Sequence, residues 1–272
     1  MKNKLAVELG NVQKTLLLPL WGRAIESRKT FPLLIDRKAV EIIEELDYDF
    51  DAMGKNLQEL TKAAWVIRCL QADIVIKEFL KKYPSASIAN IGCGLDTTFS
   101  RVDNGQINWY DLDLPDVIEL RRNLIPIGDR QEALPFSLFH YDDWVDKIDK
   151  SNNVFLLSLG VLYYFGEASI RGFFRKMADS FPGAEMFIDL SSPFGLKAAN
   201  KLVIKNSGMD ESSFLKWGCK DARTITTWDD RIEIVKVYPF FAGRRYPVKS
   251  KFKALLLDIL KLQYMCHIRF RN

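Results

Sequence analysis

The sequence predicts an α/β protein built on a seven-stranded, mostly parallel sheet whose last two strands are antiparallel. Five apolar runs alternate with segments of helical periodicity, which is the pattern of a parallel sheet with right-handed crossovers. Two later runs, residues 232–238 and 264–270, alternate apolar and polar side chains and suit an antiparallel hairpin at the sheet edge. The first strand also ends in two glycines one residue apart, which is typical of a ligand-binding turn.

The segment that precedes the first strand is predicted to be helical. A short helix is expected over residues 15–28, with an irregular entry because Pro19 interrupts it. Asp36 is placed to cap a second helix, and a third runs from about residue 61 to residue 82. The sheet does not need these helices. We therefore expect a helical cap over residues 1–82 and a Rossmann-like domain over residues 83–272, packed as one compact unit.

The remaining elements follow in order along the domain. The five parallel strands are predicted at 87–91, 107–110, 134–139, 153–159 and 184–190, with helices at 116–124 and 167–181 between them. A helical insertion is expected near residues 191–218, a short helix capped at 226–230, and a further helix over 251–262.

Composition narrows the class of protein. The 272 residues are 48% hydrophobic and 27% charged, enough for a substantial core, and the net charge of +4 gives no reason to invoke nucleic acid. No run is long enough to span a bilayer, and the four cysteines and two histidines form no cluster. We expect free thiols, a cytoplasmic location, no metal and no membrane partner, and a monomer or homodimer. The basic excess at 243–245 and 249–251 is predicted to be a solvated loop.

The glycine turn and the strand after it predict a cofactor site. Gly92 and Gly94 flank Cys93, and a segment compatible with a helix opens at Asp96. Glycines allow a ligand to approach the backbone closely, and the amides at a helix start favour a polar or anionic group. About 20 residues later, the second strand runs into Asp111 and Asp113. A carboxylate at that strand end receives the two hydroxyls of a ribose in doubly wound sheets.

These motifs resemble those of a known family. Residues 90–99 (NIGCGLDTTF) and 110–115 (YDLDLP) are similar to the two central signatures of the leucine carboxyl methyltransferase family, and residues 23–28 (RAIESR) are similar to the start of its polyketide-synthesis, tetracenomycin-type branch. The resemblance covers nearly the whole chain. It implies the class I methyltransferase fold and S-adenosyl-L-methionine as cofactor, with S-adenosyl-L-homocysteine as product. It also implies methyl transfer to a hydroxyl or carboxylate oxygen of a small, polyketide-like acceptor.

The resemblance also implies roles for cofactor-binding residues. Gly92, Cys93 and Gly94 would form the turn against the methionine part of the cofactor. Asp113 would hold the ribose hydroxyls, with Asp111 supporting it. Arg68 would pair with the cofactor carboxylate.

The adenine side is predicted at the end of the third strand. Asp142 is the candidate for the adenine amino group, and Tyr141 and Asp143 remain alternatives because the register is open by a residue or two. His140 and His267 are expected to be structural.

One position departs from the family pattern. The family carries a glutamate just before a Gly-Val-hydrophobic run after the fourth strand, whereas this chain has Leu159 before Gly160. A leucine side chain cannot accept a hydrogen bond or balance a charge. Either backbone carbonyls near Ile91 and Leu159 hold the cofactor ammonium, or affinity is weakened.

The acceptor pocket is expected between the N-terminal helices and the insertion. Tyr163 and Tyr164 follow the fourth strand and are candidates to orient the acceptor, although core packing is an equal alternative. Arg23 and Arg28 are possible contacts for an anionic acceptor. A carboxylate acceptor would need no base, whereas a phenol or alcohol would.

Three other functions compete with small-molecule methyl transfer. The chain could methylate the C-terminal carboxylate of a protein. It could also be a nicotinamide-dependent reductase. The glycine motif of such reductases has a third small residue, however, where this chain has Asp96 and Thr97. Finally, it could bind the cofactor with weak or no catalysis. The leucine at position 159, where the family has glutamate, favours this hypothesis.

Overall fold

The computed structural model of this chain describes residues 4–241 and 251–272. The strands are β1 (Leu5–Ala6), β2 (Leu46–Asp47), β3 (Ser87–Ile91), β4 (Asn108–Asp113), β5 (Gln131–Pro135), β6 (Val154–Ser158), β7 (Glu185–Leu190), β8 (Ile232–Pro239) and β9 (Tyr264–Phe270). The helices are α1 (Asn11–Lys14), α2 (Leu17–Ser27), α3 (Arg37–Glu45), α4 (Phe50–Gly54), α5 (Glu59–Lys82), α6 (Phe99–Val102), α7 (Pro115–Leu124), α8 (Tyr141–Trp144), α9 (Glu167–Ser180), α10 (Pro193–Ala199), α11 (Arg223–Thr226) and α12 (Lys251–Ile259).

The central sheet has seven strands in the order β5-β4-β3-β6-β7-β9-β8. The first five of these are parallel, and β9 pairs antiparallel with both β7 and β8. The last pair is therefore antiparallel, as predicted, but only β9 runs against the other strands. The predicted fold class is confirmed. Because β3 and β6 lie side by side where the strand order reverses, their carboxyl ends leave a crevice.

Helices cover both faces of this sheet. On one face, α5 packs Ile67, Ile76 and Phe79 against apolar side chains of β3, β6 and β7. On the other, α9 packs Phe173 and Phe174 against the same strands. The central strands are consequently buried on both sides, which explains their continuous apolar runs.

The N-terminal helices have a core of their own. Buried side chains of α2, α3 and α4 pack together and against Leu95, just after the glycine turn, and against α7. The Asp36 carboxylate caps α3 by accepting a hydrogen bond from the backbone N–H of Ala39 at 3.0 Å, as predicted. The short parallel pair β1–β2 and helix α4 were not predicted. The division at residue 82 stays a prediction, since α5 contributes to both the sheet face and the N-terminal side.

Several predicted boundaries are wrong. The third strand ends at Pro135, four residues early, because proline has no N–H to extend the ladder with β4. The helix after the glycine turn is one turn long and begins at Phe99. Thr226 ends α11 and does not cap a new helix, since its hydroxyl donates back to the Arg223 carbonyl. Helix α12 ends at Ile259, three residues before the predicted end.

The insertion after β7 is helical, as predicted. Helix α10 passes into a π-helical turn, Asn200–Lys205, and a short 3-10 turn, Glu211–Ser213, follows. The basic stretch at 243–245 and 249–250 lies outside the described residues. Within the described ranges, no helix is long and apolar enough to cross a membrane.

Candidate active site

A cavity of about 390 Å³ opens at the carboxyl ends of β3, β4 and β6. The glycine turn, Asp113 and Leu159 form its floor, and α1, α2, α5 and α10 form its walls. Its volume lies in the range of small-molecule sites, about 300–1,000 Å³. The position is the one where open parallel sheets bind ligands.

The glycine turn has the backbone conformation that its sequence predicts. Gly92 and Gly94 have φ of 71° and 50°, the left-handed region that favours glycine. A Cβ at Gly92 would lie 2.3 Å from Cγ2 of Val161, so no side chain fits there. Cys93 lies between them with a buried thiol whose pKa burial raises well above its ordinary value. The turn thus presents backbone and a neutral thiol to the cavity.

Buried arginines hold the carbonyls of this turn. Arg121, on α7, donates from Nη1 to the carbonyls of Gly94 and Asp96, at 3.1 and 2.6 Å. Its Nη2 pairs with Asp111 at 2.7 Å. Arg23 donates from Nη2 to the Leu95 carbonyl at 2.7 Å. Three successive carbonyls are therefore fixed by two guanidinium groups that belong to separate helices.

Asp111 does not line the cavity. It is buried in β4 and accepts hydrogen bonds from Arg121 and from Nε1 of Trp109. Burial raises its pKa, and Arg121 opposes that shift. Asp111 thus fixes Arg121, which in turn fixes the glycine turn. Its predicted support of Asp113 at the ribose stays a prediction.

Asp113 ends β4 and lines the cavity. Its carboxylate accepts hydrogen bonds from the backbone N–H of Gly94 at 2.7 Å and of Leu114 at 2.8 Å. Burial raises the pKa of Asp113 to about 6 in spite of these donors. Two N–H groups leave further lone pairs on the carboxylate. The group can therefore accept two hydroxyl donors, as the ribose prediction requires.

Arg68 lies on α5 with its guanidinium against the opposite side of the cavity floor. Nη1 pairs with Asp189 at 3.0 Å, and Nε is buried without a hydrogen-bond partner among the described residues. Burial disfavours the cation, but the Asp189 carboxylate outweighs it and raises the pKa of Arg68. Gly160 allows the guanidinium to pass, because a Cβ there would lie 2.6 Å from Nη1.

Asp189, at the end of β7, is a residue that the sequence reasoning missed. Its carboxylate accepts hydrogen bonds from Arg68, from the backbone N–H of Gly160 at 2.7 Å and from Nε2 of Gln263 at 3.0 Å. It ties together α5, the loop after β6 and the start of β9. The available signal was an acidic residue within the buried strand β7, next to its carboxyl end.

Leu159 is half-buried and lines the cavity beside Gly160. Its side chain packs against the apolar cluster between α5 and the sheet. The nearest carboxylate to this loop is that of Asp189, which bonds the Gly160 N–H. A carboxylate from a different strand therefore contacts the residue after Leu159, but it is paired with Arg68.

The two tyrosines after β6 have different surroundings. The Tyr164 hydroxyl shares a hydrogen bond with Oγ1 of Thr15 at 2.7 Å, which links the sheet to the N-terminal helices. The Tyr163 hydroxyl is buried and makes no hydrogen bond of acceptable geometry among the described residues. Burial and the nearby Asp189 raise the pKa of Tyr163 well above its ordinary value. Both rings line the cavity.

The expected adenine residues lie elsewhere. Asp142 and Asp143 are exposed on α8, and neither they nor Tyr141 line the cavity. The assumption that this segment ends the third strand is wrong, because β5 stops at Pro135. The residues after β5 that do line the cavity are Phe136, Ser137 and Leu138.

Two arginines and two histidines lie at different distances from the site. Arg23 lines the cavity but pairs with Asp36 at 2.8 Å in addition to the Leu95 carbonyl. Arg28 is exposed, pairs with Glu44 and lies away from the cavity. His140 is exposed beside Asp143, and His267 lies in β9 beside Glu185 at 2.7 Å. Neither histidine lines the cavity.

The upper part of the cavity is apolar. It is lined by side chains from the N-terminal helices and from the insertion, with Phe241 and Leu262 at its side: Leu16, Leu18, Pro19, Leu60, Trp65, Ala198, Ala199, Leu202, Val203, Ile204 and Leu215. Both segments from which an acceptor pocket was expected therefore contribute to the cavity wall.

The donor set of the floor fits S-adenosyl-L-methionine. Arg68 has a buried Nε without a partner, which suits a carboxylate, and Asp113 keeps accepting capacity for hydroxyls. The glycine turn allows close approach of a ligand to the backbone. Among the described residues, no group of three or more His, Cys, Asp or Glu is placed to hold a metal ion.

Comparison with known proteins gives related sequences along the chain. The profile of the leucine carboxyl methyltransferase family matches residues 17–178, more than half of the sequence. The chain is 29% identical over 265 residues to the tetracenomycin polyketide synthesis O-methyltransferase TcmP of Streptomyces glaucescens, covering 95% of each protein. It is 25% identical over 189 residues to the S-adenosyl-L-methionine-dependent methyltransferase dpfgK of Gibberella zeae, covering 64% of this chain and 63% of that one.

Solved structures agree at the level of the fold. A candidate methyltransferase from Thermobifida fusca YX superposes with a TM-score of 0.63 at 18% identity, covering 93% of this chain and 94% of that one. The N-methyltransferase NodS of Bradyrhizobium japonicum WM9, in complex with S-adenosyl-L-homocysteine, gives 0.53 at 12% identity, covering 97% and 100%. Together with the family match, the site geometry supports S-adenosyl-L-methionine as the cofactor. The chain therefore belongs to the leucine carboxyl methyltransferase family, whose members are S-adenosyl-L-methionine-dependent O-methyltransferases.

Proposed function

We propose that this enzyme transfers a methyl group to the carboxylate oxygen of a small, largely apolar acceptor. The observation that carries the proposal is the division of one cavity into a charged floor and an apolar upper part that has no evident base. A polyketide-like acceptor is suggested by the relative named for tetracenomycin polyketide synthesis, whose name leaves the acceptor oxygen open. An acceptor of this kind would be a polycyclic aromatic acid.

The floor would hold the cofactor. Asp113 would accept the ribose hydroxyls, and Arg68 would bind the carboxylate while Asp189 keeps its guanidinium in place. Gly92 and Gly94 would admit the methionine part close to the backbone. The adenine would lie near Phe136–Leu138, with Ser137 as a polar partner in place of Asp142.

The cofactor supplies a methyl group that is already activated on a sulfonium. The protein must then orient the acceptor oxygen, exclude water and hold the acceptor in line with the methyl group and the sulfur. The apolar upper part serves the last two. Because the cavity is covered by the N-terminal helices and the insertion, bulk water has limited access to the reacting atoms.

The protonation states along the cavity favour a carboxylate acceptor. A phenol or alcohol would need a group that removes its proton, whereas a carboxylate is ionised at neutral pH. Among the described residues that line the cavity there is no histidine. Tyr163 has a raised pKa and stays neutral, and Asp113 bonds the glycine turn. Asp96 also lines the cavity, but its carboxylate accepts hydrogen bonds from the backbone N–H and the hydroxyl of Thr98. Burial raises the pKa of Asp96, but Arg101 and Arg23 outweigh that effect and lower it, so this carboxylate is a weak base. A hydroxyl acceptor would therefore find no free base.

The tyrosines would orient the acceptor. The Tyr163 hydroxyl lies beside Asp189 and Gln263 without a well-formed hydrogen bond and is a donor at neutral pH, so it can donate to a carboxylate oxygen of the acceptor. Tyr164 is fixed by Thr15 and would shape the wall. We also propose a cytoplasmic location, since all four cysteines are free.

A matched pair of acceptors tests the proposal. Transfer of labelled methyl groups is measured to a polycyclic aromatic acid and to the same ring system bearing only a phenol. We expect the acid to be methylated, at saturating cofactor, with a rate that stays level from about pH 7 to 8, because its ionisation is complete there. Transfer to the phenol alone, with a rate that rises with pH, would contradict the carboxylate assignment.

Calorimetry with S-adenosyl-L-methionine, S-adenosyl-L-homocysteine and NAD separates the other functions. We expect both sulfur compounds to bind and NAD not to bind. Cofactor binding without transfer to any small acid, but with transfer to the C-terminus of a peptide, would favour protein carboxyl methylation. Binding without transfer to any acceptor would favour a protein that has kept the site without catalysis.

A further inference from the structure

Gln263, which lines the cavity just before β9, has a side-chain oxygen that the protein itself leaves unused. Its Nε2 donates to the Asp189 carboxylate at 3.0 Å. Because a carboxylate only accepts hydrogen bonds, this contact orients the amide with its nitrogen toward Asp189. Among the described residues, no donor reaches Oε1 of Gln263, and this oxygen is not fully buried. The amide therefore offers the cavity a fixed acceptor.

The antiparallel course of β9 brings this residue to the site. The five parallel strands have their carboxyl ends at the same edge of the sheet, where the cavity opens. Strand β9 runs against β7, with Tyr264 opposite Leu190 and Met265 opposite Asp189. Its amino end therefore lies where β7 ends. Gln263 joins the site from the one strand of this sheet region whose beginning, and not its end, lies at the cavity.

Gln263 and Arg68 are bound to the same carboxylate oxygen. Nη1 of Arg68 and Nε2 of Gln263 both donate to Oδ2 of Asp189, each at 3.0 Å, so these nitrogens lie within two hydrogen-bond lengths of each other. Asp189 does not line the cavity, and its Oδ1 accepts from the backbone N–H of Gly160. The cavity floor thus has a guanidinium and a neutral carbonyl oxygen side by side, and one buried carboxylate fixes both.

This pair matches the amino-acid end of S-adenosyl-L-methionine. The ammonium and the carboxylate of that end are bonded to the same carbon, so a protein that binds both needs an acceptor next to its cation. We propose that Oε1 of Gln263 accepts a hydrogen bond from the cofactor ammonium, an assignment that rests on the proposed placement of the cofactor carboxylate at Arg68. An ammonium that donates to a carbonyl oxygen forms a charge-assisted hydrogen bond.

The contact explains how the site can work with leucine at position 159. Leu159 lines the cavity and precedes Gly160, whose N–H bonds the same Asp189 carboxylate that orients Gln263. The amide therefore lies one hydrogen-bonded residue away from the loop where the family pattern has glutamate. It supplies an acceptor from β9 that the leucine side chain lacks.

Two other kinds of acceptor compete for the ammonium. Backbone carbonyls near Ile91 and Leu159 are the first. The second is the Asp96 carboxylate, which lines the cavity but accepts hydrogen bonds from Nδ2 of Asn90 and from Thr98. Gln263 is favoured over both because its oxygen has no donor among the described residues and because it lies beside Arg68.

Two ligands that differ by one group test the assignment by binding alone. Calorimetry measures the affinity of the wild type for S-adenosyl-L-homocysteine and for its deamino analogue, in which hydrogen replaces the amino group. We expect the analogue to bind at least about tenfold more weakly, because it cannot donate to Gln263. Equal affinities would overturn the assignment. Binding of neither ligand would instead overturn the cofactor site of the proposed function.

The Arg68 placement is tested separately with the analogue that keeps the amino group and lacks the carboxylate. We expect this analogue to bind at least about tenfold more weakly than S-adenosyl-L-homocysteine. Equal affinities of these two ligands would overturn the placement on which the assignment of Gln263 rests. Since all three ligands are compared on the wild-type chain, the test does not depend on the folding of any variant.

Gln263→Leu should remove the preference for the amine. We expect its affinity for S-adenosyl-L-homocysteine to fall about tenfold and its affinity for the deamino analogue to stay within about twofold of the wild type. An equal loss for both ligands would mean that Gln263 acts only by holding Asp189, and would overturn the assignment. Gln58→Leu is the matched control, because Gln58 lines the cavity at the start of α5, is exposed and caps no backbone N–H with its side chain.

A second substitution tests whether positions 159 and 263 serve the same group. Leu159→Glu in the Gln263→Leu background returns the glutamate of the family pattern and should restore the preference for S-adenosyl-L-homocysteine over the deamino analogue. Thermal unfolding without ligand shows that each variant is folded. A preference that persists in Gln263→Leu alone would assign the ammonium to Asp96 or to backbone carbonyls. A raised KM for the acceptor with unchanged affinity for S-adenosyl-L-homocysteine would assign Gln263 to the acceptor. Either result would overturn the proposal.

Discussion

The floor and the upper part of the cavity are built in different ways. On the floor, Asp113, Arg68 and the glycine turn are held by charged hydrogen bonds, and each has a named partner. In the upper part, apolar side chains from α2, α5 and α10 line the cavity and offer a ligand van der Waals contacts without hydrogen bonds. The floor therefore recognises a ligand by a small number of hydrogen-bonding groups, and the upper part recognises it by the shape and volume of the space.

This difference predicts which positions of the cavity tolerate substitution. A directed group on the floor is buried, so its loss leaves a partner unsatisfied. An apolar side chain in the upper part can be exchanged for another with a smaller penalty, provided that the volume is kept. Relatives of this enzyme can thus share a cofactor and differ in acceptor. Four changes, from the largest expected effect to the smallest, test this division.

The largest effect is expected at Arg121, which holds the glycine turn. Arg121→Met leaves Asp111 buried without its cation, and we expect a loss of about 3–5 kcal/mol in the free energy of unfolding. Urea unfolding monitored by circular dichroism measures it. The double variant Arg121→Met with Asp111→Asn should recover part of the stability, because no charge is left unpaired. Equal stability of the single variant and the wild type would show that Arg121 does not hold the glycine turn.

The second effect concerns Asp113 and the cofactor. Asp113→Ala should weaken the binding of S-adenosyl-L-methionine at least about tenfold through loss of a charge-assisted contact. Isothermal titration calorimetry measures the affinity. Unchanged affinity would mean that the ribose is held by other groups.

The pH dependence sharpens the same test. The pKa of Asp113 is raised to about 6, so the protein binds this proton more tightly than the unfolded chain does. Its contribution to stability is therefore greatest below about pH 4 and falls as the pH rises to about 6. Cofactor binding requires the ionised group and should weaken as the pH falls through about 6. The Asp113→Asn variant should lack this dependence, and a dependence that persists in it would belong to another group.

The third effect should be confined to the upper part. Ala198→Phe fills volume in the cavity wall on α10 and should lower kcat/KM for the acceptor by about tenfold to a hundredfold. The dissociation constant of the cofactor should stay the same, because the floor is untouched. Lys197→Phe, on the exposed side of the same helix, is the matched control and should leave both unchanged. Loss of cofactor affinity in Ala198→Phe would show that the two parts are not separate.

The smallest effect contrasts the two tyrosines. Tyr164→Phe removes the hydrogen bond to Thr15 and should cost about 0.5–1.5 kcal/mol in unfolding free energy, with little change in turnover. Tyr163→Phe removes a hydroxyl that lies beside Asp189 and Gln263 without a well-formed hydrogen bond, so its cost in stability should be smaller than that of Tyr164→Phe, while acceptor turnover falls. The reverse pattern in thermal melts and kinetics would assign the orienting role to Tyr164.

The prediction from sequence succeeded best for elements that depend on local pattern. The strands β3, β7 and β9 and the helices α3, α5 and α9 lie within about two residues of their predicted positions. The glycine turn and Asp113 also lie together at the cavity floor. These features rest on short stretches in which the residue types and their spacing are diagnostic.

The prediction failed where a local pattern was ambiguous. Residues 134–139 alternate like a strand, but Pro135 cannot extend the ladder, so the chain turns and places Phe136–Leu138 at the cavity in place of Asp142. Arg23 is a possible contact for an anionic acceptor and lines the cavity, but its pairing with Asp36 and the Leu95 carbonyl was not predicted. A charge pattern alone does not reveal which buried carboxylate a guanidinium will meet.

By itself, the sequence determined the sheet, the glycine turn with Asp113 and the family, since these depend on patterns carried within a few residues. Only the tertiary structure revealed the contacts of Asp189, the hydrogen bonds by which Arg121 and Arg23 hold the glycine turn, and the apolar upper part of the cavity. Each of them joins residues that are far apart in the chain, such as Arg68 with Asp189. Contacts of this kind arise when helices pack on a sheet, and they depend on distances that sequence spacing does not record.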